Sequence, residues 1–381
     1  MRILLIDFMD VLTPGGINTV VREIATHLAK KGHEVYVFTQ SVIRKNLSLK
    51  YGKLTIIKGE KYINMPYGFN ILNLIFLVKT IKLIRPHIIH IHGYQNPFPL
   101  FATLLIRIVS KKTPIVLSPH FSIFGHSTFI GKYFFRLYNV SLGKILLNSA
   151  NALILSSLFE LKTLINEVGG SIRPIMYLIP HGVSYHGHEC YSDTNIVDEI
   201  EQREEVRMIY VGYLYEYKGV QYIIKALAEL VNKYNIKAKL IVVGDGPYKK
   251  QLLKLATGLG TIEYIEWVGF QRKKKLLNLL CGADLLVFPS EGEMFGLVAY
   301  ESLKLGLPVV VKKKAALIEC SAKFKCCYGI LSHEDIVKTV LKLMSKDYKQ
   351  ICKEDSHRIT TWEQTAEEYE RLFYTHTRRW T

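Results

Sequence analysis

The sequence lacks the features of several common classes of protein. It has only 12 prolines in 381 residues, and 49% of its residues are hydrophobic, a balance that excludes a disordered chain. The opening run, Met1–Asp7, is too short and too soon interrupted by acid for a signal peptide. The most apolar stretch, Phe69–Ile84, carries Lys79 and Lys82 and is too short to span a membrane. We therefore expect a packed cytoplasmic protein of two or three domains, with at most peripheral membrane contact.

Cysteine is scarce, and its spacing does not match a common metal-binding motif. The six cysteines are Cys190, Cys281, Cys320, Cys326, Cys327 and Cys352, and no two of them form a Cys-x-x-Cys pair. Cys326 and Cys327 are adjacent, which suits neither an easy disulfide between them nor a standard zinc site. We expect reduced cysteines of the kind found in ordinary cytoplasmic proteins.

Acidic residues are outnumbered by basic ones. The chain has 50 Lys and Arg against 33 Asp and Glu, which gives a formal net charge of +17 and a pI of about 9.4. Such a balance favours anionic partners, namely nucleoside diphosphates, phospholipid surfaces or nucleic acid. The charge alone does not choose among these three.

Short apolar runs alternate with helical patterns along the first half. The run RILLIDF precedes a segment with apolar residues at Val20, Val21, Ile24 and Leu28 before Gly32, which is the period of an amphipathic helix. Further strands are predicted at HEVYVFTQ, HIIHIHG, PIVLSPH and ANALILSS. Because nearly continuous apolar strands alternate with helices, the pattern predicts a parallel, doubly wound sheet.

The pattern is interrupted once and then resumes. Residues 184–206 are polar and acidic and lack a strong apolar period, so they are predicted to be a linker. Four more strands are predicted beyond them, at RMIYVGYL, AKLIVVGDG, IEYIEWVGF and DLLVFPS. The second half therefore shows the same alternation of strands and helices as the first, although no short internal repeat occurs.

The last segment, residues 361–381, has the pattern of one amphipathic helix that needs a surface to lie on. Its apolar positions are Trp362, Ala366, Tyr369 and Phe373. We predict that this helix packs back on the N-terminal domain. The predicted architecture is thus α/β, with an N-terminal Rossmann-like domain of residues 1–183 and 361–381. A C-terminal Rossmann-like domain of residues 184–360 faces it across a cleft, where ligands bind beyond the strand ends.

Two glutamates flank a Phe-Gly turn in the stretch SEGEMFGLVAYE. Phe295, Gly296 and Leu297 begin a helix, so their backbone N–H groups are expected to bind phosphate oxygens. Glu301, about one turn into that helix, can accept hydrogen bonds from two adjacent ribose hydroxyls. Glu293, before the helix, would point at a sugar ring beyond the diphosphate. A pair of solvated surface acids is disfavoured, because a buried strand precedes the turn and an apolar helix follows it.

Three glycine-containing turns join predicted strands to helices. They contain Gly15 and Gly16 in the first turn, Gly212 and Lys218 in the second, and Gly244 and Gly246 in the third. Glycines in the first turn let the backbone approach an anion closely, and the Lys218 ammonium of the second can neutralise phosphate. The third turn has room for a flat base. Taken alone, each turn is equally well explained by tight turn geometry or by a surface lysine.

Histidines follow two of the predicted strands. His120 comes directly after a strand and could contact a substrate, although a lone histidine is more often structural. His90 and His92 share one face of a strand, and no third ligand is indicated nearby, so we predict no metal site.

Together these motifs resemble glycosyltransferase family 4, a family of retaining, nucleotide-sugar-dependent enzymes with the GT-B fold. The resemblance covers essentially the whole chain, and its most specific element is the E-x7-E spacing from Glu293 to Glu301. The other motifs occur in the family's order. They are the Gly15-Gly16 loop, PHIIHIHG, His120, ANALILSS with Glu160, IPHGV, VGYLYEYKG, VVGDGP and VGF.

The resemblance implies a role for each matching residue. Glu301 would hold the donor ribose, and Glu293 would bind hydroxyls of the transferred sugar. His120 would lie against that sugar near the reacting carbon. Lys218, with the backbone at Gly16 and at Phe295–Leu297, would stabilise the leaving diphosphate. The implied catalytic residues are thus His120, Glu293 and Lys218.

The remaining implied contacts concern the base and the acceptor. The base would lie near Gly244–Gly246 and Val268–Phe270, and the donor set also includes Gly15, Gly212, Tyr213 and Phe270. The acceptor would enter past Asn18, Tyr94, Gln95 and Phe121. Neither a metal nor a cofactor is implied. The co-substrate would be a UDP- or GDP-linked hexose, and the acceptor a glycan or lipid-linked hydroxyl.

The chain departs from the family pattern at three places. Tyr213 stands where the family usually has an arginine of the diphosphate clamp, and His181 replaces an asparagine. KKKAALIEC follows the last strand motif in place of a Gly-rich turn, so Lys312, Lys313 or Lys314 would either replace the lost charge or form a solvated loop.

Alternatives remain for the surface and for the function. His126–Leu147 mixes aromatic and basic residues, which suits either an interfacial helix on an anionic membrane or an ordinary core-facing helix. A catalytically impaired GT-B scaffold that binds nucleic acid or membrane is the alternative from another class. Tyr213 and the net charge favour that scaffold, while the intact Glu293, Glu301, Lys218 and His120 oppose it. An epimerase or phosphorylase on the same fold is disfavoured by the E-x7-E spacing.

Overall fold

The computed structural model of the chain divides into two α/β units. Unit 1 contains residues 1–182 and 360–381, and unit 2 contains residues 183–359. The predicted domains were residues 1–183 with 361–381 and residues 184–360. The structure describes residues 1–13, 15–41, 47–61, 71–123, 129–184, 205–344 and 348–378. The predicted linker therefore lies mostly outside the described residues.

Unit 1 is built on an eight-stranded sheet. Its strands are β1 (Arg2–Asp7), β2 (Glu34–Ser41), β3 (Leu47–Tyr51), β4 (Leu54–Lys61), β5 (Ile88–His92), β6 (Ile115–Ser118), β7 (Ala152–Leu155) and β8 (Ile175–Leu178). Their spatial order is β3-β4-β2-β1-β5-β6-β7-β8, and the neighbours are parallel except for the antiparallel pair β3 and β4. The middle strands are buried along their length, which explains their nearly continuous apolar sequences.

Helices connect the parallel strands of unit 1. They are α1 (Gly16–Lys30), α2 (Ile71–Ile84), α3 (Pro97–Val109), α4 (Phe129–Tyr138), α5 (Lys144–Asn148) and α6 (Leu158–Val168). A π-helical turn, Asn139–Gly143, joins α4 to α5. None of the helices in the described ranges has the length and apolar character needed to cross a bilayer.

Unit 2 is built on a six-stranded sheet in which every neighbouring pair is parallel. Its strands are β9 (Val206–Val211), β10 (Ala238–Val243), β11 (Ile265–Gly269), β12 (Leu285–Phe288), β13 (Val309–Lys312) and β14 (Cys327–Ile330). Their spatial order is β11-β10-β9-β12-β13-β14. The helices are α7 (Val220–Asn232), α8 (Lys249–Gly258), α9 (Lys273–Cys281), α10 (Leu297–Lys304), α11 (Leu317–Lys323), α12 (His333–Met344) and α13 (Lys349–His357). The predicted class of two Rossmann-like parallel sheets is confirmed.

The C-terminal helix α14 (Trp362–Arg378) packs on unit 1, as predicted. It lies against α1 and buries the predicted apolar stripe, including Trp362, Tyr369 and Phe373. At its outer edge, Glu370 Oε1 lies 2.7 Å from His33 Nε2. The helix is therefore part of the core of unit 1 and not an appendage.

The cysteines depart from the expectation of reduced thiols. Cys326, just before β14, forms a disulfide with Cys352 in α13, with the two Cα atoms 5.3 Å apart. Cys281 is also disulfide-bonded, and Cys190 lies outside the described residues. Cys320 and Cys327 are free and buried. The expectation was wrong for Cys326 because packing of α13 beside β14 joins residues that are 26 positions apart.

Candidate functional site

The residues of unit 2 that were predicted to hold a nucleotide sugar lie at the carboxyl ends of neighbouring strands. Lys218 ends a short 3-10 turn after β9, and Glu293 follows β12, the neighbour of β9 in the sheet. The Lys218 ammonium donates a hydrogen bond to the Glu293 carboxylate, and each side chain is 15% exposed. The ammonium also lies 5.9 Å from the ring centroid of Phe288. Two of the three predicted catalytic residues are thus in direct contact.

The turn before α10 presents its backbone and buries its aromatic side chain. The Phe295 ring is buried and stacks on Tyr300 with their centroids 4.3 Å apart. Gly296 caps the helix in the left-handed conformation, with φ of 86°, which a residue with a Cβ rarely adopts. A Cβ there would also lie 2.7 Å from Leu317 Cδ2. Phe295 can therefore contribute only its backbone to an anion at the start of this helix.

Glu293 and Glu301 are held at fixed places around this turn. The Glu293 carbonyl accepts a hydrogen bond from the Ala316 N–H at 3.0 Å, which ties the turn to the loop after β13. Glu301 lies about one helical turn beyond Leu297, on α10, and is partly exposed. The structure thus places one carboxylate before the helix and one on its first turns, as the motif predicted.

The glycine turns that were assigned to donor binding are bonded to one another. Gly212 N–H donates to Val243 O at 2.9 Å, and Gly244 N–H donates to Gly269 O at 2.9 Å. Gly246 packs so tightly on the Leu214 backbone that an added Cβ would lie 2.7 Å from its nitrogen. These contacts join the ends of β9, β10 and β11 into one backbone surface.

Two exposed aromatic residues lie at this surface. Tyr213 is 47% exposed and Phe270 is 55% exposed, and their ring centroids are 6.4 Å apart. Tyr213 also lies 6.3 Å from Tyr215. The position where the family usually carries an arginine is therefore an exposed aromatic one, with no cation in its place.

Two of the three lysines that were suggested to replace that cation, Lys312 and Lys314, have local partners. Lys314 Nζ lies 2.7 Å from Glu291 Oε2. Lys312 Nζ donates to Leu331 O at 2.7 Å and lies 4.1 Å from the ring centroid of Tyr222. Both ammonium groups are thus committed to local partners, because their strand ends beside the turn that carries Glu291.

In unit 1, His120 is fixed by its ring and by its backbone. It adopts φ of 48°, which is unusual for a residue other than glycine. Its Nε2 lies 3.0 Å from His92 Nδ1. Burial lowers the pKa of His120 to about 4, so the imidazole is neutral at neutral pH. A neutral imidazole at this place can hydrogen bond a sugar without adding charge.

Glu160 holds the residue that follows His120. Its Oε1 accepts a hydrogen bond from Phe121 N–H at 2.8 Å. Its Oε2 accepts from Ser156 N–H at 2.8 Å and from Ser156 Oγ at 2.7 Å. Burial raises the pKa of this carboxyl, and these hydrogen bonds oppose the rise. Glu160 therefore positions the backbone after His120. The sequence motif contained Glu160 but did not indicate this role.

Three of the four residues assigned to the acceptor are buried, and the structure does not support direct contact for them. Asn18 donates to Asp10 O at 3.1 Å and to Thr13 O at 3.0 Å, so its amide holds the loop before α1. Tyr94 and Phe121 pack edge to face, 5.1 Å apart, inside the core. Gln95 is partly buried and donates to Ser122 O. Packing of the loops after β5 and β6 turns the side chains of Tyr94, Gln95 and Phe121 inward.

The first glycine turn gives no steric reason for glycine. Gly15 has φ of 161°, which is extended backbone, and an added Cβ on Gly16 would meet no atom within 4 Å among the described residues. Pro14 lies outside the described residues. The donor role of Gly15 and Gly16 therefore stays a prediction.

His92 is a residue that sequence reasoning considered only as a metal ligand. It ends β5, beside Asp7 of β1 and Ser118 of β6 in the sheet register. The repeated HIIHIH pattern had shown that His90 and His92 share a face. It gave no sign that the second of them reaches His120, because that contact depends on strand order.

Two family models match the chain. One, described as Glycosyltransferase Family 4, matches residues 14–187, and the other, described as Glycosyl transferases group 1, matches residues 192–360. A GDP-mannose-dependent alpha-(1-6)-phosphatidylinositol dimannoside mannosyltransferase of Mycobacterium tuberculosis is 30% identical over 165 residues. That match covers 42% of this chain and 42% of the relative.

Solved structures resemble the chain over its whole length. Sucrose-phosphate synthase from Thermosynechococcus elongatus has a TM-score of 0.78 at 18% identity, covering 98% of each chain. HepE from Anabaena, in complex with UDP and glucose, has a TM-score of 0.74 at 17% identity, covering 98% of this chain and 99% of that one. At these identities the likeness shows a shared fold.

Proposed function

Because this chain is a glycosyltransferase of the family 4 type with the GT-B fold, we propose that it transfers a hexose from a nucleoside diphosphate sugar to a hydroxyl acceptor with retention of anomeric configuration. The observation that carries the proposal is the arrangement in unit 2. Lys218 and Glu293 contact each other before the start of α10, and Glu301 follows one turn later on the same helix.

Each group of this arrangement has a task in the transfer. The diphosphate binds at the first N–H groups of α10, where the helix end favours negative charge, and Lys218 neutralises the charge that develops as the nucleotide leaves. Glu301 accepts hydrogen bonds from the ribose hydroxyls. Glu293 accepts hydrogen bonds from the sugar and orients Lys218.

The bond changes need no protein nucleophile in this proposal. The bond between the anomeric carbon and the phosphate oxygen breaks, and the acceptor oxygen bonds to the same face of that carbon. The acceptor proton passes to the departing phosphate oxygen. His120, neutral and fixed by His92, hydrogen bonds the sugar. No metal or cofactor is part of the proposal.

The donor base and the acceptor class are narrower proposals. UDP or GDP is the expected nucleotide, and a solved structure of similar fold contains UDP and glucose. A lipid-linked or glycan hydroxyl is the expected acceptor. A partial relative is named a phosphatidylinositol dimannoside mannosyltransferase, which supports a lipid acceptor by analogy only.

Unit 1 has an exposed apolar surface, which supports the proposal that the enzyme acts at the surface of a membrane. Its exposed large side chains are Ile71, Leu72, Ile75 and Leu83 on α2, Phe101, Leu104 and Ile108 on α3, and Tyr133, Phe134 and Leu137 on α4, continuing through Val140, Leu142 and Ile145. Helix α2 packs on α3, and α3 packs on α5. This set of exposed residues is the apolar surface discussed below.

The charge of the stretch of sequence that carries the apolar surface favours an anionic bilayer. Between Glu60 and Glu160 the chain contains no Asp or Glu, whereas it contains ten basic residues. These are Lys61, Lys79, Lys82, Arg85, Arg107, Lys111, Lys112, Lys132, Arg136 and Lys144. Apolar side chains beside basic ones suit the interface of an anionic membrane. Location on the cytoplasmic side stays a prediction.

Calorimetric titration with UDP, GDP and ADP, alone and sugar-linked, tests the donor proposal. We expect one nucleotide to bind the wild type selectively and to bind Glu301→Ala at least tenfold more weakly. Glu263→Ala, an exposed glutamate of the same unit, is the matched control and should bind normally. Absence of binding to every nucleotide by the wild type would favour the impaired scaffold.

Sedimentation with vesicles tests the membrane proposal. The full chain should pellet with vesicles that contain an anionic phospholipid and remain in solution with vesicles of phosphatidylcholine alone. Phe134→Ser with Leu137→Ser should weaken pelleting, whereas Tyr374→Ser, an exposed position on α14, should not. Binding that does not depend on anionic lipid, or binding to RNA of similar strength, would contradict it.

A further inference from the structure

Four histidines of unit 1 form a continuous group of rings. The centroids of His90 and His92 are 4.1 Å apart, those of His92 and His120 are 5.3 Å apart, and those of His120 and His181 are 5.8 Å apart. His90, His92 and His181 are buried, and His120 is partly exposed. Only one ring of the group therefore reaches the surface where a substrate can bind.

The group is neutral. Burial lowers the pKa of His90 to about 3 and that of His120 to about 4, and it lowers the pKa values of His92 and His181 well below their usual range. The positive charge that any one ring would carry disfavours protonation of the others. Each imidazole consequently has one N–H donor and one acceptor nitrogen at neutral pH.

Because both rings are neutral, the hydrogen bond between His92 and His120 can have either of two directions, and each direction requires a different pair of tautomers. His92 Nδ1 and His120 Nε2 are 3.0 Å apart, so one of the two nitrogens must carry the proton. His92 Nε2 is buried and has no hydrogen-bond partner among the described residues. A buried lone pair without a partner is better tolerated than a buried N–H without one. The proton of His92 is therefore on Nδ1, and it is donated to His120 Nε2.

This direction determines what His120 offers to a substrate. With Nε2 occupied as an acceptor, the proton of His120 is on Nδ1, and that nitrogen is a donor. The backbone of His120 is also restrained, because its φ is 48° and the next N–H is bound by Glu160. Ring and backbone are thus fixed from two sides.

We infer that His92 is a positioning residue that holds His120 in its Nδ1–H tautomer and orients its ring as a hydrogen-bond donor toward the transferred sugar. The inference rests on the proposed function, in which His120 contacts that sugar. His90 does not share this role, because its Nε2 lies 2.8 Å from Ser118 Oγ. It is on the same strand and equally buried, so it provides a matched control.

Tautomers can be read directly by long-range proton–nitrogen NMR of the full chain labelled with 15N at histidine, with His120 assigned by its loss in His120→Gln. The wild type should show His120 protonated on Nδ1. His92→Asn keeps an amide N–H near the position of Nδ1, so it should preserve this state. His92→Leu removes the donor and should shift His120 toward its Nε2–H form.

Transfer rates provide the second readout. His92→Leu should lower kcat by about 10–100-fold, the range known for residues that orient metal-binding side chains, and His92→Asn should recover most of that loss. UDP affinity should be unchanged in both. His90→Leu, which leaves the bond to His120 intact, should lower thermal stability as much as His92→Leu but should leave the tautomer and kcat nearly unchanged.

The outcomes separate this inference from the proposed function. A wild type in which His120 carries its proton on Nε2 overturns the inference, whether or not the enzyme is active. Equal kcat losses in His92→Leu and His92→Asn overturn it as well. The expected tautomers in a wild type that binds no nucleotide would support the role of His92 and count against the donor proposal alone.

Discussion

The ammonium of Lys218 donates a hydrogen bond to the carboxylate of Glu293, which ties the turn after β9 to the turn after β12. Both side chains are largely shielded from solvent, at 15% exposure each. An opposite charge in such surroundings holds each group in one place. The pair is thus pre-arranged, with Glu293 acting as an anchor for Lys218 as well as a partner for the sugar.

Replacing the two members of this pair should affect nucleotide binding and turnover in different ways. Lys218→Met removes the only positive charge of the pair and leaves Glu293 to repel the diphosphate, so UDP affinity and kcat should both fall, kcat by about 10²–10³-fold. Glu293→Gln keeps hydrogen-bonding capacity and removes the negative charge, so UDP affinity should hold or rise while kcat falls. Calorimetry and initial rates measure the two effects. Equal losses of UDP affinity in both variants would contradict the assignment.

Restoring an arginine at position 213 should strengthen donor binding. Tyr213 is 47% exposed, so an arginine can replace it without disturbing the core. A guanidinium that reaches the diphosphate adds a charge-assisted hydrogen bond, which corresponds to about tenfold in UDP affinity. Tyr213→Phe, which keeps the ring and loses the hydroxyl, should bind UDP as the wild type does. Unchanged or weaker binding by Tyr213→Arg would show that residue 213 does not face the diphosphate.

Most of the buried, regular strands of both units were predicted from sequence, whereas the two edge strands of the first sheet, β3 and β8, were not. The runs that became β1, β5, β9 and β10 are nearly all apolar, because parallel strands in the middle of a sheet are covered on both faces. The antiparallel strand β3 and the partly exposed β8 carry no such signal. Their pairing depends on the position that the rest of the sheet leaves for them.

The features of the site also fall into two groups: those set by local sequence, which were predictable, and those set by contacts between distant residues, which were not. The spacing of Glu293 and Glu301 places them around one helix start, which is a local relationship that sequence alone conveys. Whether Tyr94 and Phe121 point to solvent or to the core depends on the packing of α4 and α6, which sequence does not reveal. The bond from His92 to His120 likewise depends on two strands that are adjacent only in the folded sheet.

A buried carboxyl in unit 1 should give a distinctive pH dependence. Burial raises the pKa of Asp7 to about 7 from its usual 3.8, and the nearby Asp10 adds to the rise. The folded protein thus holds a proton that the unfolded chain releases above pH 3.8, so this contribution to stability is present at low pH and is lost as pH rises through 7. The buried histidines act in the opposite sense below about pH 6.5, so the effect must be measured as a difference.

Asp7→Asn removes this titration and keeps an acceptor for the Met9 N–H, which Asp7 Oδ1 binds at 3.2 Å. The variant should be more stable than the wild type at pH 8, by on the order of 1–4 kcal/mol. That advantage should shrink steadily as pH falls toward 5. Scanning calorimetry of unit 1 unfolding across this range measures it, with Glu263→Gln, at an exposed carboxyl of unit 2, as the control. A difference that is constant with pH would refute the assignment.

Adding one methyl group at Gly244 should disrupt the base-binding surface through the backbone alone. Gly244 has φ of 140°, and a Cβ there would overlap the carbonyl oxygen of Gly212 on the neighbouring strand end. Since the Cβ is bonded directly to the backbone and the atom that it overlaps is a backbone oxygen, the strain can be relieved only by moving the ends of β9 and β10 apart. Gly244→Ala should therefore destabilise unit 2 by about 1–3 kcal/mol and weaken nucleotide binding at least tenfold.

The matched control is Gly258→Ala, in α8, where a Cβ meets no atom within 4 Å among the described residues. That helical position should tolerate alanine, with unchanged nucleotide affinity and a slight gain in stability. If Gly244→Ala bound UDP as tightly as Gly258→Ala does, the close backbone contact would not shape the donor site. Loss of affinity at wild-type thermal stability would instead show that residue 244 touches the nucleotide itself.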